Sequence, residues 1–120
     1  MGAFVKGDVV VVRFPNSTGS DFKKRPVVVV ALVPYAGGTD YMVCLVTSQN
    51  AQTSQNAQDP HAIELAPSDL IGGSLRATRS FLRPTYLYTA DEASLEYRIG
   101  ALLGKTLTRA VDTLKVVLDE

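Results

Sequence analysis

The chain has 120 residues, of which 46% are hydrophobic and 20% charged, so it can bury one core and has no room for a second domain; we expect one domain over residues 1–120. Its 12 basic and 12 acidic side chains balance, which excludes a protein that binds nucleic acid through a large net positive charge. The apolar runs are too short to span a membrane, and Cys44, the single cysteine, cannot form an internal disulfide. We therefore expect a cytoplasmic protein with no membrane association.

The first part of the chain predicts three β-strands. Residues 9–14 are rich in β-branched side chains and are followed by Pro15-Asn16, which stops a strand. Residues 27–33 are apolar at successive positions, which indicates a strand buried on both faces. Residues 34–40 contain two glycines and predict a turn. Residues 41–47 then form a third strand that pairs back on the second as a hairpin.

A duplicated polar segment follows the third strand. The run Ser48-Gln49-Asn50-Ala51-Gln52 recurs at residues 54–58. Because it contains no apolar residue larger than alanine, it cannot bury itself, and it predicts a mobile connector. The alternative is a flap whose amide side chains touch nucleic-acid bases.

The second half predicts short strands and a closing helix. Residues 62–65 and the segments 80–83 and 86–89 have strand character, with Pro84 at an edge or a bulge. Around residues 91–98 we expect a helical turn or two, with Asp91 as its cap. An amphipathic helix begins near Thr106, and its apolar face comprises Leu107, Ala110, Val111, Leu114, Val117 and Leu118. Strands followed by one helix predict a mainly β barrel or sandwich.

Three cations, Lys23, Lys24 and Arg25, precede Pro26 at the entry to the second strand. Like charges repel, so such a cluster indicates an anion to bind; the alternative is that the cations protect an aggregation-prone strand. If the second and third strands form a hairpin, Arg25 and Thr47 meet at one rim. Ser80 and Arg83 could join them from a later strand. An arginine with hydroxyl donors can hold a phosphate and stabilise charge that develops on it.

Other site chemistries lack the residues they need. The single histidine, His61, and the single cysteine give no metal-ligand cluster, so we predict no metal and no cofactor. A serine–histidine–acid triad would have to use His61, which is better explained as a solvated residue at a strand edge. No glycine-rich loop connects a strand to a helix, which excludes nucleotide-binding folds.

At the candidate phosphate-binding residues the chain resembles the MazF/PemK family of toxin endoribonucleases, the mRNA interferases of type II toxin–antitoxin systems. The likeness lies in five segments that occur in the same order: Gly7-Asp8-Val9-Val10, Lys24-Arg25-Pro26-Val27-Val28-Val29, Cys44-Leu45-Val46-Thr47-Ser48, residues 80–91, and Ile99-Gly100-Ala101-Leu102. The resemblance implies a small SH3-like β-barrel of the PemK/CcdB type with a C-terminal amphipathic helix. It also implies a homodimer.

The resemblance further implies metal-independent, sequence-selective cleavage of single-stranded RNA, in which the ribose 2′-hydroxyl attacks the adjacent phosphorus and leaves a cyclic phosphate. The family's catalytic arginine and threonine correspond to Arg25 and Thr47. Because a guanidinium is a poor base, Arg25 is expected to clamp the phosphate and Thr47 to hydrogen-bond it. The candidate substrate-binding residues are Asp21, Lys23, Lys24, Ser48, Gln49, Ser80 and Arg83.

Two other functions share this fold. A gyrase poison of the CcdB type depends on an aromatic-containing C-terminus, whereas this chain ends Val117-Leu118-Asp119-Glu120 and has no tryptophan. A barrel that binds RNA or protein without cutting is the third alternative. For the toxin we expect an antitoxin partner whose acidic, disordered tail orders across the cationic rim, near Phe22 and Phe81.

Overall fold

The computed structural model describes residues 3–15, 22–48, 59–75 and 79–120. Within these ranges one antiparallel sheet has the strand order β4-β6-β3-β2-β1-β7-β5 and curls into a half-barrel. This confirms the predicted mainly β fold with one C-terminal helix. The elements are β1 (Asp8–Pro15), β2 (Phe22–Tyr35), β3 (Gly38–Ser48), β4 (Ile63–Leu65), β5 (Leu70–Ile71), β6 (Ser80–Asp91), β7 (Leu95–Leu102) and α1 (Gly104–Leu118), with short 3-10 helices at Pro67–Asp69 and Glu92–Ser94.

Both faces of the sheet bury apolar side chains. On one, the helix-side face, Val9 and Val28 pack in a cluster that Leu107, Val111 and Leu114 of α1 cover. On the other, the far face, Val10 and Val27 belong to a second cluster, which also contains the fully buried Tyr41. Each fully buried valine contributes roughly 1.5–3 kcal/mol. The uninterrupted valine runs therefore reflect strands that are covered on two sides.

Strand β2 is longer than the sequence pattern predicts. It begins at Phe22, so the cationic run lies within the strand and not at the end of a loop. The reason is its pairing with β1, which places Lys24 opposite Arg13 and Lys23 opposite Phe14. The predicted turn over residues 34–40 shrinks to two residues for the same reason, because β2 and β3 pair as far as Tyr35 opposite Gly38.

The predicted bend at Pro84 is confirmed as a bulge in β6. The β3–β6 register shifts between Cys44, which lies opposite Leu87, and Leu45, which lies opposite Arg83. Pro84 is fully buried, and its carbonyl accepts a hydrogen bond from the Cys44 thiol at 3.4 Å. The residue that cannot donate to the ladder thus lies where the ladder is interrupted.

The helical turn predicted around residues 91–98, with Asp91 as its cap, is confirmed only in part, because the helix is a single short turn that starts after Asp91. Only Glu92–Ser94 forms a 3-10 helix, and β7 follows at once. Asp91 makes no side-chain cap; its carboxylate instead accepts a hydrogen bond from the Ser94 hydroxyl. Pairing with β1 decides the conformation here, since Leu95 lies opposite the fully buried Val12 and tertiary packing overrides local propensity.

Helix α1 begins at Gly104, two residues before the predicted start, and the Thr106 hydroxyl fastens it by donating to Asp69 Oδ1 at 2.7 Å. Its predicted apolar face is confirmed at Ala110, which is fully buried, but Leu118 is 75% exposed. It is wrong as a core residue because the helix there has run past the sheet. Among the described residues no helix has the length and apolarity that crossing a membrane requires. The duplicated run at residues 49–58 lies outside the described residues.

Candidate active site

Arg25 and Thr47 lie on the far face, at the end of the rows of buried valines. Arg25 is opposite Val12 of β1, and Thr47 is opposite Phe81 of β6. Between β2 and β3 the ladder includes Val27 opposite Leu45. Continuing that register by two residues on each strand puts Arg25 opposite Thr47, and the period of two keeps both side chains on the face of Val27 and Leu45.

On the far face, the side chains change from apolar at Val27 and Leu45 to polar at Arg25 and Thr47, two residues further along each strand. Val27 is fully buried and Leu45 nearly so, Thr47 is buried, and Arg25 is half-buried. An arginine in this position supplies N–H donors next to the buried rows. A hydroxyl on the neighbouring strand supplies a further donor. This arrangement can bind an oxyanion without large rearrangement.

Arg83 approaches the same face from β6 and is held by two contacts. Its Nε donates to Asp59 Oδ2 at 3.0 Å, and its guanidinium carbon lies 4.0 Å from the ring centroid of Tyr86. The ion pair is nearly closed to solvent, with 13% of the arginine side chain and 8% of the aspartate side chain exposed. Because Leu45 is opposite Arg83 and Thr47 is opposite Phe81, Arg83 is a diagonal neighbour of Thr47.

Asp59 is fixed as firmly as its partner. Its other carboxylate oxygen, Oδ1, accepts the backbone N–H of His61 at 2.9 Å. Burial alone would raise the pKa of Asp59, but the His61 N–H and the Arg83 guanidinium outweigh it and hold the pKa below its usual value. Asp59 therefore stays ionised and keeps the charge of Arg83 in place.

A second arginine of this region is engaged differently. Arg79 lies over the ring of Phe81, 5.3 Å from its centroid. It binds Glu64 through both Nε and Nη2, at 2.7 and 2.8 Å, and these hydrogen bonds lower the pKa of Glu64. The carboxylate thus occupies the fork of Arg79. Among the described contacts, Arg83 meets its carboxylate through Nε.

Two of the sequence-predicted binding residues lie on the other side of the sheet. Lys24 alternates with Arg25 and so belongs to the helix-side face, where its ammonium binds Glu96 at 3.1 Å. Ser80 alternates with Phe81 and lines a cavity of about 140 Å³ with Leu65 and Leu70. Neither side chain is brought together with Arg25 and Thr47.

The other predicted residues are placed in part or not at all. Lys23 lies in β2 opposite Phe14, and Ser48 lies at the end of β3 opposite Ser80. Asp21 and Gln49 lie outside the described residues.

Two residues that sequence reasoning missed belong to this region, Asp59 and Tyr86. The position of Asp59, directly after a polar run, gives no signal of its long-range pairing with Arg83. Tyr86 carries the weak signal of an aromatic residue three positions after an arginine in a strand. Its stacking under that arginine depends on the bulge.

In the part of the chain that the structure describes, no group of three or more His, Cys, Asp or Glu side chains could hold a metal ion. Cys44 is buried, and burial raises the pKa of its thiol to about 12. His61 lies away from the far face and lines an open groove of about 510 Å³ against α1. The polar chemistry of the far face therefore rests on arginine and hydroxyl groups.

Comparisons with known proteins give one family. The family model of PemK-like, MazF-like toxins of type II toxin–antitoxin systems matches residues 5–118. A comparison with curated proteins finds no match. Among solved structures, an endoribonuclease from a mycobacterial species is similar with a TM-score of 0.66 and 16% identity over 99% of this chain and 94% of that one.

Two similar structures contain an antitoxin. One is a mycobacterial endoribonuclease in complex with its cognate antitoxin, with a TM-score of 0.63 and 16% identity over 99% of this chain and 96% of that chain. The other is the MazE–MazF complex of Deinococcus radiodurans, with a TM-score of 0.69 and 17% identity over 99% and 98%. At these identities the likeness shows a common fold.

Proposed function

The chain belongs to the family of PemK-like, MazF-like toxins of type II toxin–antitoxin systems, and on that premise we propose that it is an endoribonuclease that cleaves single-stranded RNA. The observation that carries the proposal is the polar group on the far face. Arg25, Thr47 and Arg83 come from three neighbouring strands, and the β2–β3 register, continued by two residues, brings Arg25 opposite Thr47 on the face of Arg83. Two of the similar solved structures are described as endoribonucleases.

The proposed reaction is a transesterification within the RNA. The 2′-oxygen forms a bond to the adjacent phosphorus and loses its proton, while the bond to the 5′-oxygen breaks and that oxygen takes up a proton. The products are a cyclic phosphate and a 5′-hydroxyl. Charge grows on the phosphoryl oxygens, where the guanidinium of Arg25 and the hydroxyl of Thr47 stabilise it. Arg25 is not assigned as the base, because a guanidinium keeps its protons.

The test is cleavage of a mixed-sequence single-stranded RNA by the purified protein in excess EDTA, with product ends identified by mass spectrometry. We expect cyclic phosphate ends, and no cleavage where the scissile ribose is 2′-deoxy. Arg25→Ala should lower the rate roughly 10²–10⁴-fold. The matched control is Arg109→Ala, which removes an exposed arginine from α1, on the opposite side of the sheet.

Four outcomes would contradict the proposal. Magnesium-dependent cleavage would overturn the metal-free mechanism. Cleavage by folded Arg25→Ala at the wild-type rate would remove Arg25 from the site. No cleavage at all would leave a barrel that binds without cutting, and trapping of gyrase instead would indicate a CcdB-type poison.

We also propose that the protein is a homodimer regulated by an antitoxin with an acidic, disordered tail. The solved complexes with antitoxins support the partner. The positive charges of Arg25 and Arg83 can attract an acidic segment. Such a tail must bury apolar anchors as well, because exposed ion pairs alone contribute little. Calorimetry with the product of the neighbouring reading frame, followed by RNA competition, tests this. Tight binding that leaves cleavage unchanged would place the tail elsewhere.

A further inference from the structure

A small apolar cavity adjoins the candidate site on the far face. Its volume is about 250 Å³, and it is lined by Leu45, Thr85, Tyr86, Leu87 and Tyr88. Four consecutive residues of β6 line it because the strand leaves the regular ladder between Arg83 and Leu87. The bulge at Pro84 thus opens the cavity, and its position depends on the same local geometry that places Arg83.

The cavity lies within reach of an RNA strand whose phosphate is bound at Thr47. Leu45 belongs to its wall and precedes Thr47 by two residues on β3, a distance of about 7 Å along a strand. This is close to the length of one extended nucleotide. A nucleotide next to the scissile phosphate can therefore place its base at the cavity without a change in the path of the backbone.

The chemistry of the wall fits a base better than a phosphate. No charged side chain lines the cavity; its walls are two leucines, two tyrosines and a threonine. The volume is below the range of cavities for drug-sized ligands, which begins at about 300 Å³, so the occupant is small. Aromatic rings stack on unpaired bases of single-stranded RNA, and neighbouring hydroxyls can bond the base edges.

Tyr86 is prepared for such stacking. The residue is 51% exposed, so part of it is open to solvent. The guanidinium of Arg83 lies 4.0 Å from its centroid and is itself fixed by Asp59. The ring therefore has little freedom to lose when a base binds, which raises the affinity for a given contact.

We propose that this cavity is a base-binding subsite: it holds one unpaired nucleobase adjacent to the scissile phosphate, stacked on Tyr86 and enclosed by Leu45 and Tyr88. The proposal rests on the proposed RNA-cleaving function and deepens it, since it assigns the binding of one base beside the scissile phosphate to Tyr86 and Tyr88.

The experiment combines a protein variant with a modified RNA. Once the cut site is mapped, RNAs with a 2′-deoxyribose at the scissile position are made with an abasic nucleotide on one or the other side. Binding is measured for the wild type, Tyr86→Leu, Tyr86→Phe and the control Tyr35→Leu, which removes another exposed tyrosine at the far end of β2. Thermal melting and the oligomeric state are recorded for each protein.

We expect Tyr86→Leu to weaken binding of the intact RNA roughly 5- to 150-fold, the range for one stacked base. One of the two abasic RNAs should lose a similar factor with the wild type and lose nothing further with Tyr86→Leu. Tyr86→Phe should bind like the wild type because it keeps the ring, and Tyr35→Leu should show no change. If Tyr86→Leu acted only by displacing Arg83, it would weaken the binding of intact and abasic RNA equally. The non-additivity of the protein change and the abasic change therefore distinguishes stacking from that indirect effect.

Independent, multiplicative losses from Tyr86→Leu and from both abasic RNAs would overturn the subsite while leaving the proposed function standing. So would a Tyr86→Leu variant that changes oligomeric state but not RNA affinity, because the cavity would then belong to a contact between copies. A wild-type protein that neither binds nor cuts RNA would refute the proposed function, and the subsite with it.

Discussion

The nearly buried pair of Asp59 and Arg83 is the interaction in this site whose loss has the most predictable cost. We consider Asp59→Asn, which keeps the size of the side chain. The carboxylate now uses separate oxygens for the His61 N–H and for Arg83 Nε. An asparagine has one oxygen, so its amide must face one of two donors, and the arginine charge is left without a counter-ion.

The expected loss follows from burial. Removing one partner of a buried ion pair costs about 3–5 kcal/mol, because the remaining charge stays desolvated. Only 8% and 13% of these two side chains are exposed, and the asparagine oxygen keeps one hydrogen bond. We therefore expect the lower end, about 3 kcal/mol, which for a chain of this length lowers Tm by roughly 10 °C. Urea denaturation of wild type and variant measures it.

Glu64→Gln is the matched control, since it also removes a carboxylate from an arginine. The geometry of the Arg79–Glu64 pair is better, with two short hydrogen bonds, but both side chains are 48% exposed. Water and salt screen this pair, so we expect little change, and none at high ionic strength. Equal losses from both variants would refute the claim that burial, not hydrogen-bond geometry, decides the cost.

The same pair predicts the direction of the pH dependence. The folded state lowers the pKa of Asp59, so its contribution is fully present above the unfolded value of about 3.9 and is lost as the pH falls through the lower folded value. The difference in unfolding free energy between wild type and Asp59→Asn should therefore be constant near neutral pH and shrink below about pH 4. A difference that does not depend on pH would contradict the assignment.

Three further outcomes are expected. Thr47→Val keeps the shape of a buried strand residue, so Tm should stay within a few degrees while the cleavage rate falls at least 10-fold; equal rates would reduce Thr47 to packing. Cys44 should resist alkylation in the folded protein, because burial raises its pKa to about 12, and fast labelling without denaturant would contradict this. Removing Arg83 from the far face should reduce the slope of log K for single-stranded RNA against log salt by about 0.7, whereas Lys24→Ala, which removes a cation from the helix-side face, should change it less; equal changes would contradict the different placement of the two cations.

The core of this fold could be predicted from local pattern. The valine runs of β1 and β2 indicate strands covered on both faces, and the hairpin of β2 and β3 follows from the turn between them. The prediction that Arg25 and Thr47 meet at one rim rests only on that pairing. The residues at which the strands begin and end were harder to predict. The run of Lys23 to Arg25 is as polar as a loop, and it becomes strand because β1 pairs along its whole length.

Two predicted binding residues, Lys24 and Ser80, lie on the helix-side face, and the sequence pattern was sufficient to place them there. Strict alternation along a strand separates Lys24 from Arg25 and Ser80 from Arg83, so their placement on the helix-side face could have been deduced once those segments were taken as strands. The contact between Asp59 and Arg83 could not have been deduced from the sequence. It joins residues 24 positions apart, with β4 and β5 between them, and no local propensity encodes which acid an arginine will meet.

The construction of the sheet explains why the site lies where it does. Strands that bury both faces have no room for polar side chains along their length, so arginine and hydroxyl groups can occur only where the apolar rows end. At that end the last core pair, Val27 and Leu45, fixes the separation of β2 and β3. If the register continues by two residues, Arg25 and Thr47 inherit that separation. The core therefore positions the site directly, and a cavity at Val27 would loosen the two side chains on which phosphate binding is proposed to depend.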